Sequence, residues 1–209
     1  MVLDEHLNLK KHVNKIVSHG YKLLKDIGRV RNMLTETHTE MLVHAVIASR
    51  LDYCNSLFFN MSKDNLNKFQ KMQNAAARIV KKKRKRDSIS ETLVELHWLK
   101  VESRIMFKMI LLVYKAIHGL CSDNLRITYK QYNCRPDDLL KLEVKNVKTE
   151  YGRRTFDYAG PRLWNALPLE VEVVETVEVF KAKLKKLKPM AGGLTGMLGL
   201  SRVTLADHC

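Results

Sequence analysis

The fold class follows most directly from the stretch Ile105-Met106-Phe107-Lys108-Met109-Ile110-Leu111-Leu112-Val113-Tyr114. Its apolar side chains cover nearly every side of a helix, which is typical of a helix that is buried on more than one side. We predict this core helix over residues 101–118 and expect Gly119 to end it, because glycine readily adopts the left-handed conformation that follows a helix. The apolar stretch is far shorter than the roughly 20 residues that cross a bilayer, so it predicts no membrane span.

Amphipathic patterns on the N-terminal side of this stretch predict further helices. Apolar residues recur at intervals of three and four over residues 9–34, with lysines mostly off the stripe, and Gly20 is a candidate break in that helix. Thr37 and Glu40 have the spacing of a capping box that would open a second helix. A third helix is expected to begin near Ser62 and to run into a cluster of basic residues.

The C-terminal side of the chain is predicted to contain more loops. Periodicity fades after Cys121, and Pro136 lies among Asp and Asn residues that favour turns. The alternation of apolar residues over 140–147 permits one short strand pair, and a last helix is predicted over residues 176–187. Residues 189–209 are rich in glycine, so we expect a disordered tail.

These patterns together predict a mainly α fold. A helical, bundle-like basic region is expected over residues 1–120, and a loop-rich region with short helices over residues 121–188. The remaining residues, 189–209, form the tail.

Charge is the strongest physical signal in the sequence. The formal net charge of +15 favours a polyanionic partner. Six consecutive cations form one run: Lys81, Lys82, Lys83, Arg84, Lys85 and Arg86. They repel one another unless they are solvated or bound to a polyanion, so the run predicts non-specific contact with the phosphates of RNA or DNA. A solvated loop between two helices is the alternative interpretation.

Two further properties follow from the composition of the basic run and of its neighbours. The run has the composition of a nuclear localisation patch. No aromatic residue interleaves with it, which argues against sequence-specific recognition of single strands by base stacking.

The cysteines indicate a reducing compartment. Four are present, widely spaced and without a Cys-x-x-Cys pair: Cys54, Cys121, Cys134 and Cys209. The first six residues are too polar for the apolar region of a secretory signal. We therefore expect an intracellular protein with reduced thiols. The pattern makes no prediction of oligomeric state.

No catalytic residue, metal site or cofactor is predicted. A polymerase needs paired carboxylates that hold two metal ions, and the candidate pair Asp137-Asp138 lacks a preceding aromatic residue and a flanking hairpin. His118, Cys121 and Cys134 form the best cluster of metal ligands. A zinc site needs four ligands, usually in two close pairs, and the second pair is absent.

Several phrases occur in a fixed order along the chain. They are Ser49-Arg50-Leu51-Asp52-Tyr53-Cys54-Asn55-Ser56-Leu57, Gln73-Asn74-Ala75-Ala76-Ala77-Arg78, Leu96-His97-Trp98-Leu99 and Leu163-Trp164-Asn165-Ala166-Leu167-Pro168. In this order they resemble the region downstream of the polymerase domain in non-LTR retrotransposons, the jockey and CR1-like LINE elements. The resemblance covers about residues 3–187.

The resemblance implies the thumb and downstream region of a reverse transcriptase, an RNA-directed DNA polymerase. Residues 1–120 would be thumb-like helices that grip template and primer, with phosphate contacts from the lysines of the first helix and from the basic run. The family's palm, with its metal-binding aspartates, would precede Met1. We therefore expect Met1 to be an internal start in a truncated element copy, and the chain alone to be inactive. The alternative is a non-catalytic basic helical remnant or interaction module without retained activity.

Overall fold

A computed structural model describes residues 8–122, 125, 127–129, 141–172, 174 and 176–187. The fold is mainly helical, as predicted. Contacts divide the chain into two compact units, Met1–Arg104 and Ile105–Cys209, called unit 1 and unit 2. The functional regions drawn from the sequence at residues 120 and 188 stay predictions.

Unit 1 is built from α-helices joined by short turns. Its helices are α1 (Lys10–Val30), α2 (Glu36–Val43), α3 (Ser49–Asp52), α4 (Lys63–Lys81), α5 (Ile89–Glu95) and the first residues of α6 (Val101–Ile117). A π-helical segment, His44–Ala48, joins α2 to α3, and short 3-10 turns lie at Arg31–Met33 and Asn55–Phe58.

The long helices α1 and α4 pack directly against each other. Gly20 lies at this contact, where a Cβ atom would come within 2.2 Å of the Met72 sulfur. Met72 is fully buried, so there is little room for it to move. The helix continues through Gly20, and the break considered from the sequence does not occur, because the glycine serves close packing between two helices.

The start of α2 corrects one prediction. Thr35, in an extended conformation, is the N-cap, and its hydroxyl accepts a hydrogen bond from the His38 amide at 3.2 Å. The capping box of Thr37 and Glu40 is therefore wrong by two residues. Both threonines are good caps by type, and the 3-10 turn that ends α1 determines which one precedes the helix.

The C-terminal ends of α1 and α4 are joined by Arg31. This guanidinium is buried and donates to the carbonyls of Ile79 at 2.8 Å, Val80 at 2.6 Å and Leu34 at 2.8 Å. Carbonyls in the last turn of a helix have few partners within the helix, and a cation there interacts favourably with the helix dipole. The contact holds the C-terminal end of α4 in place, and the basic run begins at this end of the helix.

Residues from three of the four sequence phrases connect different parts of unit 1. Arg104 forms two hydrogen bonds with the Asp52 carboxylate, at 2.6 and 2.7 Å. The Gln73 amide donates to the Leu99 carbonyl at 2.8 Å. These residues therefore have a structural role, because they join segments that are far apart in the sequence.

Unit 2 contains the rest of α6, with α7 (Phe156–Trp164), α8 (Leu169–Glu172) and α9 (Val177–Lys186). The core-helix prediction is confirmed, and Gly119 follows α6 with a φ of 67°, the left-handed conformation expected there. Tyr114 stacks on Phe180 at 4.2 Å between ring centroids, and its hydroxyl donates to the Val174 carbonyl at 2.8 Å. Aromatic packing thus holds α6 against α9, and the buried hydrogen bond joins α6 to the segment that precedes α9.

The remaining predictions for the C-terminal part have mixed outcomes. The last helix is confirmed as α9, with the Thr176 hydroxyl accepting from the Val179 amide at 3.5 Å. In place of a strand pair, the described part of the chain contains one isolated antiparallel bridge, between Tyr129 and Leu142. The tail at 189–209 lies outside the described residues. Within the residues described, none of the helices has both the length and the apolar character needed to cross a membrane.

Candidate nucleic-acid interface

The basic run lies between α4 and α5 in unit 1. Lys81 is the last residue of α4, and Lys82 follows it in the left-handed conformation, with a φ of 51°. The five residues Lys82–Arg86 are exposed and are called the basic loop below. Since Arg31 anchors the end of α4, the loop starts from a fixed position.

Lys81 differs from the other members of the run because it is bound to acidic residues. Its ammonium lies 2.6 Å from a Glu36 carboxylate oxygen and 3.8 Å from one of Glu95. The hydrogen bond to Glu36 raises the pKa of Lys81 above its ordinary value. Lys83 also reaches Glu95, at 3.8 Å. Part of the run therefore links α4 to α2 and α5.

The other cations of the loop are available to an external partner. Among the described residues, Lys82, Arg84, Lys85 and Arg86 form no ion pair. The Arg84 amide donates to an Asp87 carboxylate oxygen at 2.6 Å, which orders the loop through its backbone. The loop therefore presents four unpaired cations from an ordered turn.

A purely structural interpretation accounts for some of this charge. Cations close to the C-terminus of a helix stabilise it by roughly 0.3–1 kcal/mol each, and the effect falls off within the last turn. Lys81 and Lys82 meet that condition at the end of α4. Arg84, Lys85 and Arg86 lie beyond the last turn, so the helix dipole does not explain them.

The lysines predicted as phosphate contacts in the first helix do not share one environment. They are all exposed: Lys10, Lys11, Lys15, Lys22 and Lys25. Lys15 and Lys22 line a groove of about 810 Å³, together with Arg50 and Tyr53 from the other side. No pattern in the sequence connects Arg50 or Tyr53 with the lysines, because their proximity depends on tertiary packing of α1 against the segment at 49–53.

Histidine also lines this groove. His12 is buried and stacks on Phe58 with 6.1 Å between ring centroids. Burial lowers the pKa of His12, and the positive charge of Lys15 acts in the same direction. The ring is therefore neutral near pH 7. The cationic character of the groove comes from its lysines and arginine.

The structure offers no metal site among the residues that it describes. His118 Nδ1 donates a hydrogen bond to the Tyr114 carbonyl at 2.9 Å, and the His118 ring stacks on that of Tyr114 at 4.0 Å. No group of three or more potential His, Cys, Asp or Glu ligands occurs within the described ranges. Cys134, Asp137 and Asp138 lie outside the described residues.

Comparison of the chain with protein-family models, with curated proteins and with solved structures finds no match. The relation to non-LTR retrotransposons therefore rests on the four sequence phrases and stays a prediction. The contacts of Asp52 with Arg104 and of Gln73 with Leu99 explain these residues by packing alone. The geometry that bears on function is cationic and belongs to unit 1.

Proposed function

We propose that the chain is the thumb and downstream region of a reverse transcriptase-like protein and binds nucleic-acid backbone without catalysing polymerisation. The main observation in favour is the basic loop, in which Lys82, Arg84, Lys85 and Arg86 are exposed and form no ion pair within the described residues. Phosphates neutralise such cations and release counterions, which makes binding favourable at low salt. The order of the four sequence phrases supports the assignment to this family.

Backbone binding without base readout fits the chemistry of the loop. Arginine and lysine side chains reach phosphate oxygens of any sequence, whereas specificity requires contacts with base edges. The loop contains no aromatic side chain for stacking. We therefore expect little discrimination between sequences.

Binding of a labelled 20-base-pair duplex tests the role of the loop. The variant carries four substitutions: Lys82→Ala, Arg84→Ala, Lys85→Ala and Arg86→Ala. It keeps Lys81 and Lys83, so their ion pairs with acidic residues of unit 1 stay in place. We expect fluorescence anisotropy to show affinity reduced by about tenfold or more at low salt.

A matched variant controls for the change in net charge. It removes four exposed cations of unit 2: Lys148→Ala, Arg153→Ala, Lys185→Ala and Lys186→Ala. The loop is the binding surface only if this control retains clearly more affinity than the loop variant. Equal losses in both variants would contradict the proposal and indicate diffuse charge attraction.

A primer-extension assay tests the absence of catalysis. The chain is supplied with an RNA template, a DNA primer, deoxynucleotides and Mg²⁺, and no extension is expected. Extended primer would overturn the non-catalytic assignment.

A helical remnant or interaction module is the alternative. If the wild-type protein bound no nucleic acid at low salt, this alternative would replace the proposal. The link of Lys81 to Glu36 favours that alternative, because it gives part of the run a structural role.

A further inference from the structure

A second cationic feature of unit 1 is the groove beside α1. Six of its lining residues matter for its chemistry: His12, Lys15, His19, Lys22, Arg50 and Tyr53. The four from α1 are spaced by three or four residues and therefore share one face of the helix. This face extends about 15 Å along the helix axis. Among the described residues that line the groove, none has a carboxylate side chain.

The cations of the groove are available to an anionic ligand. Lys15, Lys22 and Arg50 are exposed and form no ion pair among the described residues. The Arg50 Nε atom donates to the Val46 carbonyl at 3.0 Å, and this hydrogen bond orients the guanidinium group. Its terminal nitrogens form no hydrogen bond within the described part of the chain.

Two acidic residues of the described chain that lie close to the groove in sequence pair with other side chains. Asp26, in α1, pairs with Arg29 at 3.1 Å. Asp52, between Arg50 and Tyr53, is bound by Arg104 at 2.6 Å. Their partners neutralise these carboxylates, so neither cancels the positive charge of the groove.

Tyr53 adds an aromatic surface to this cationic groove. Its side chain is 58% exposed, which is high for so large a ring. An exposed ring beside phosphate-binding cations is the combination that binds single strands, since a base can stack on the ring while the backbone follows the charge. Paired bases within a duplex have no free face to offer.

We propose that the groove binds a single strand of nucleic acid, with a base stacked on Tyr53. Lys15, Lys22 and Arg50 contact different phosphates of the strand. Lys15 and Lys22 lie about 10.5 Å apart along the axis of α1, which is too far for one phosphate group. The face of about 15 Å corresponds to about four nucleotides at the rise of a helical strand.

This inference rests on the proposed function and names the form of nucleic acid that the chain prefers. The basic loop and the groove are proposed to have different roles in binding. The basic loop attracts any polyanion, whereas the groove selects unpaired strands. Substitutions in the two sites are therefore expected to have different effects on single strands and duplexes.

The test measures anisotropy of a labelled 12-nucleotide single strand and of a 12-base-pair duplex. Lys15→Ala/Lys22→Ala changes the groove, and Lys11→Ala/Lys25→Ala removes two exposed lysines of the same helix that do not line it. We expect the groove pair to weaken single-strand binding by about tenfold. The control pair should cause a severalfold smaller loss of affinity for the single strand. The affinity for the duplex should change by a similar factor in both pairs.

The aromatic contact has its own matched variants. Tyr53→Leu keeps an apolar side chain and removes the ring, and Tyr21→Leu does the same at an exposed tyrosine of α1 outside the groove. The first should weaken single-strand binding by about fivefold or more, and the second should not. Equal effects of the groove and control variants would overturn the groove proposal.

Other outcomes separate the two proposals. If loop variants weaken binding while all groove variants bind single strands like the wild type, the proposed function stands and the groove proposal fails. If the wild type binds neither nucleic acid, both fail. Displacement of the strand by an equal nucleotide concentration of ATP would overturn the strand assignment in favour of a mononucleotide site. Failure of ATP to compete, with loss of binding in both groove variants, is the result that we expect.

Discussion

Glu172 in unit 2 is a buried carboxyl group whose titration affects stability. Its side chain is 1% exposed, and the Lys141 ammonium lies 3.7 Å from one oxygen. Within the described part of the chain, neither carboxylate oxygen accepts a hydrogen bond. Burial raises the pKa of Glu172, and the opposing effect of Lys141 is smaller.

Replacement of Glu172 by Gln is expected to alter the pH dependence of unfolding. A pKa raised in the folded state means that the proton is held more tightly there, so stability falls as the pH rises from the unfolded pKa to the folded one. Glu172→Gln removes this loss. Its free energy of unfolding, relative to wild type, should therefore increase as the pH rises above the ordinary glutamate pKa of about 4.3.

Urea denaturation across this pH range measures the difference. Glu178→Gln, at an exposed position of α9, controls for the loss of one negative charge. A constant difference between Glu172→Gln and wild type at every pH would contradict the account of a destabilising buried carboxylate.

Individual side-chain partners could be predicted from the sequence only where they are local. The role of Gly119 follows from its position after an apolar helix, and its left-handed conformation agrees. The pairing of Asp52 with Arg104 joins residues that are far apart in the chain, and no local pattern indicates it. The position of Tyr53 in the groove depends likewise on tertiary packing, and no local pattern in the sequence indicates it.

Two glycines of α1 provide a direct comparison of packing with helix propensity. Alanine is favoured over glycine by up to about 1 kcal/mol at an exposed helix position. Gly28 has open space around it, whereas a Cβ at Gly20 would come within 2.2 Å of the Met72 sulfur. The same substitution should therefore have opposite effects at the two positions.

We expect Gly28→Ala to stabilise the protein by up to about 1 kcal/mol. Gly20→Ala should destabilise it by about 1–3 kcal/mol, because the added methyl group overpacks the contact between α1 and α4. The midpoint of urea denaturation reports both changes. Stabilisation of similar size by the two variants would show that the contact is loose enough to admit a methyl group.

The helices differ in how well the sequence predicts them. The long helices α1, α4 and α6 have apolar repeats over many residues, and their existence follows from periodicity. The start of α2 was misplaced because Thr35 and Thr37 are equivalent caps by type. The π-helical segment His44–Ala48 has no signal in the periodicity, since its geometry departs locally from that of an α-helix.

The chain as a whole carries a net charge of +15. The cations that produce this charge have different roles. Part of the charge stabilises unit 1, as Lys81 does through Glu36. The cations of the basic loop and of the groove are assigned to nucleic acid. Composition alone predicts a polyanionic partner, and only the fold distinguishes a cation that is already paired from one that is exposed and unpaired.

The salt dependence of duplex binding tests the role of the basic loop most directly. Each phosphate contact contributes about 0.9 to the slope of log affinity against log salt concentration. The variant that lacks Lys82, Arg84, Lys85 and Arg86 should therefore show a slope reduced by up to about 3.6. The matched variant of unit 2, which loses the same charge, should keep most of the wild-type slope. Identical slopes for the wild type and the loop variant would contradict the account.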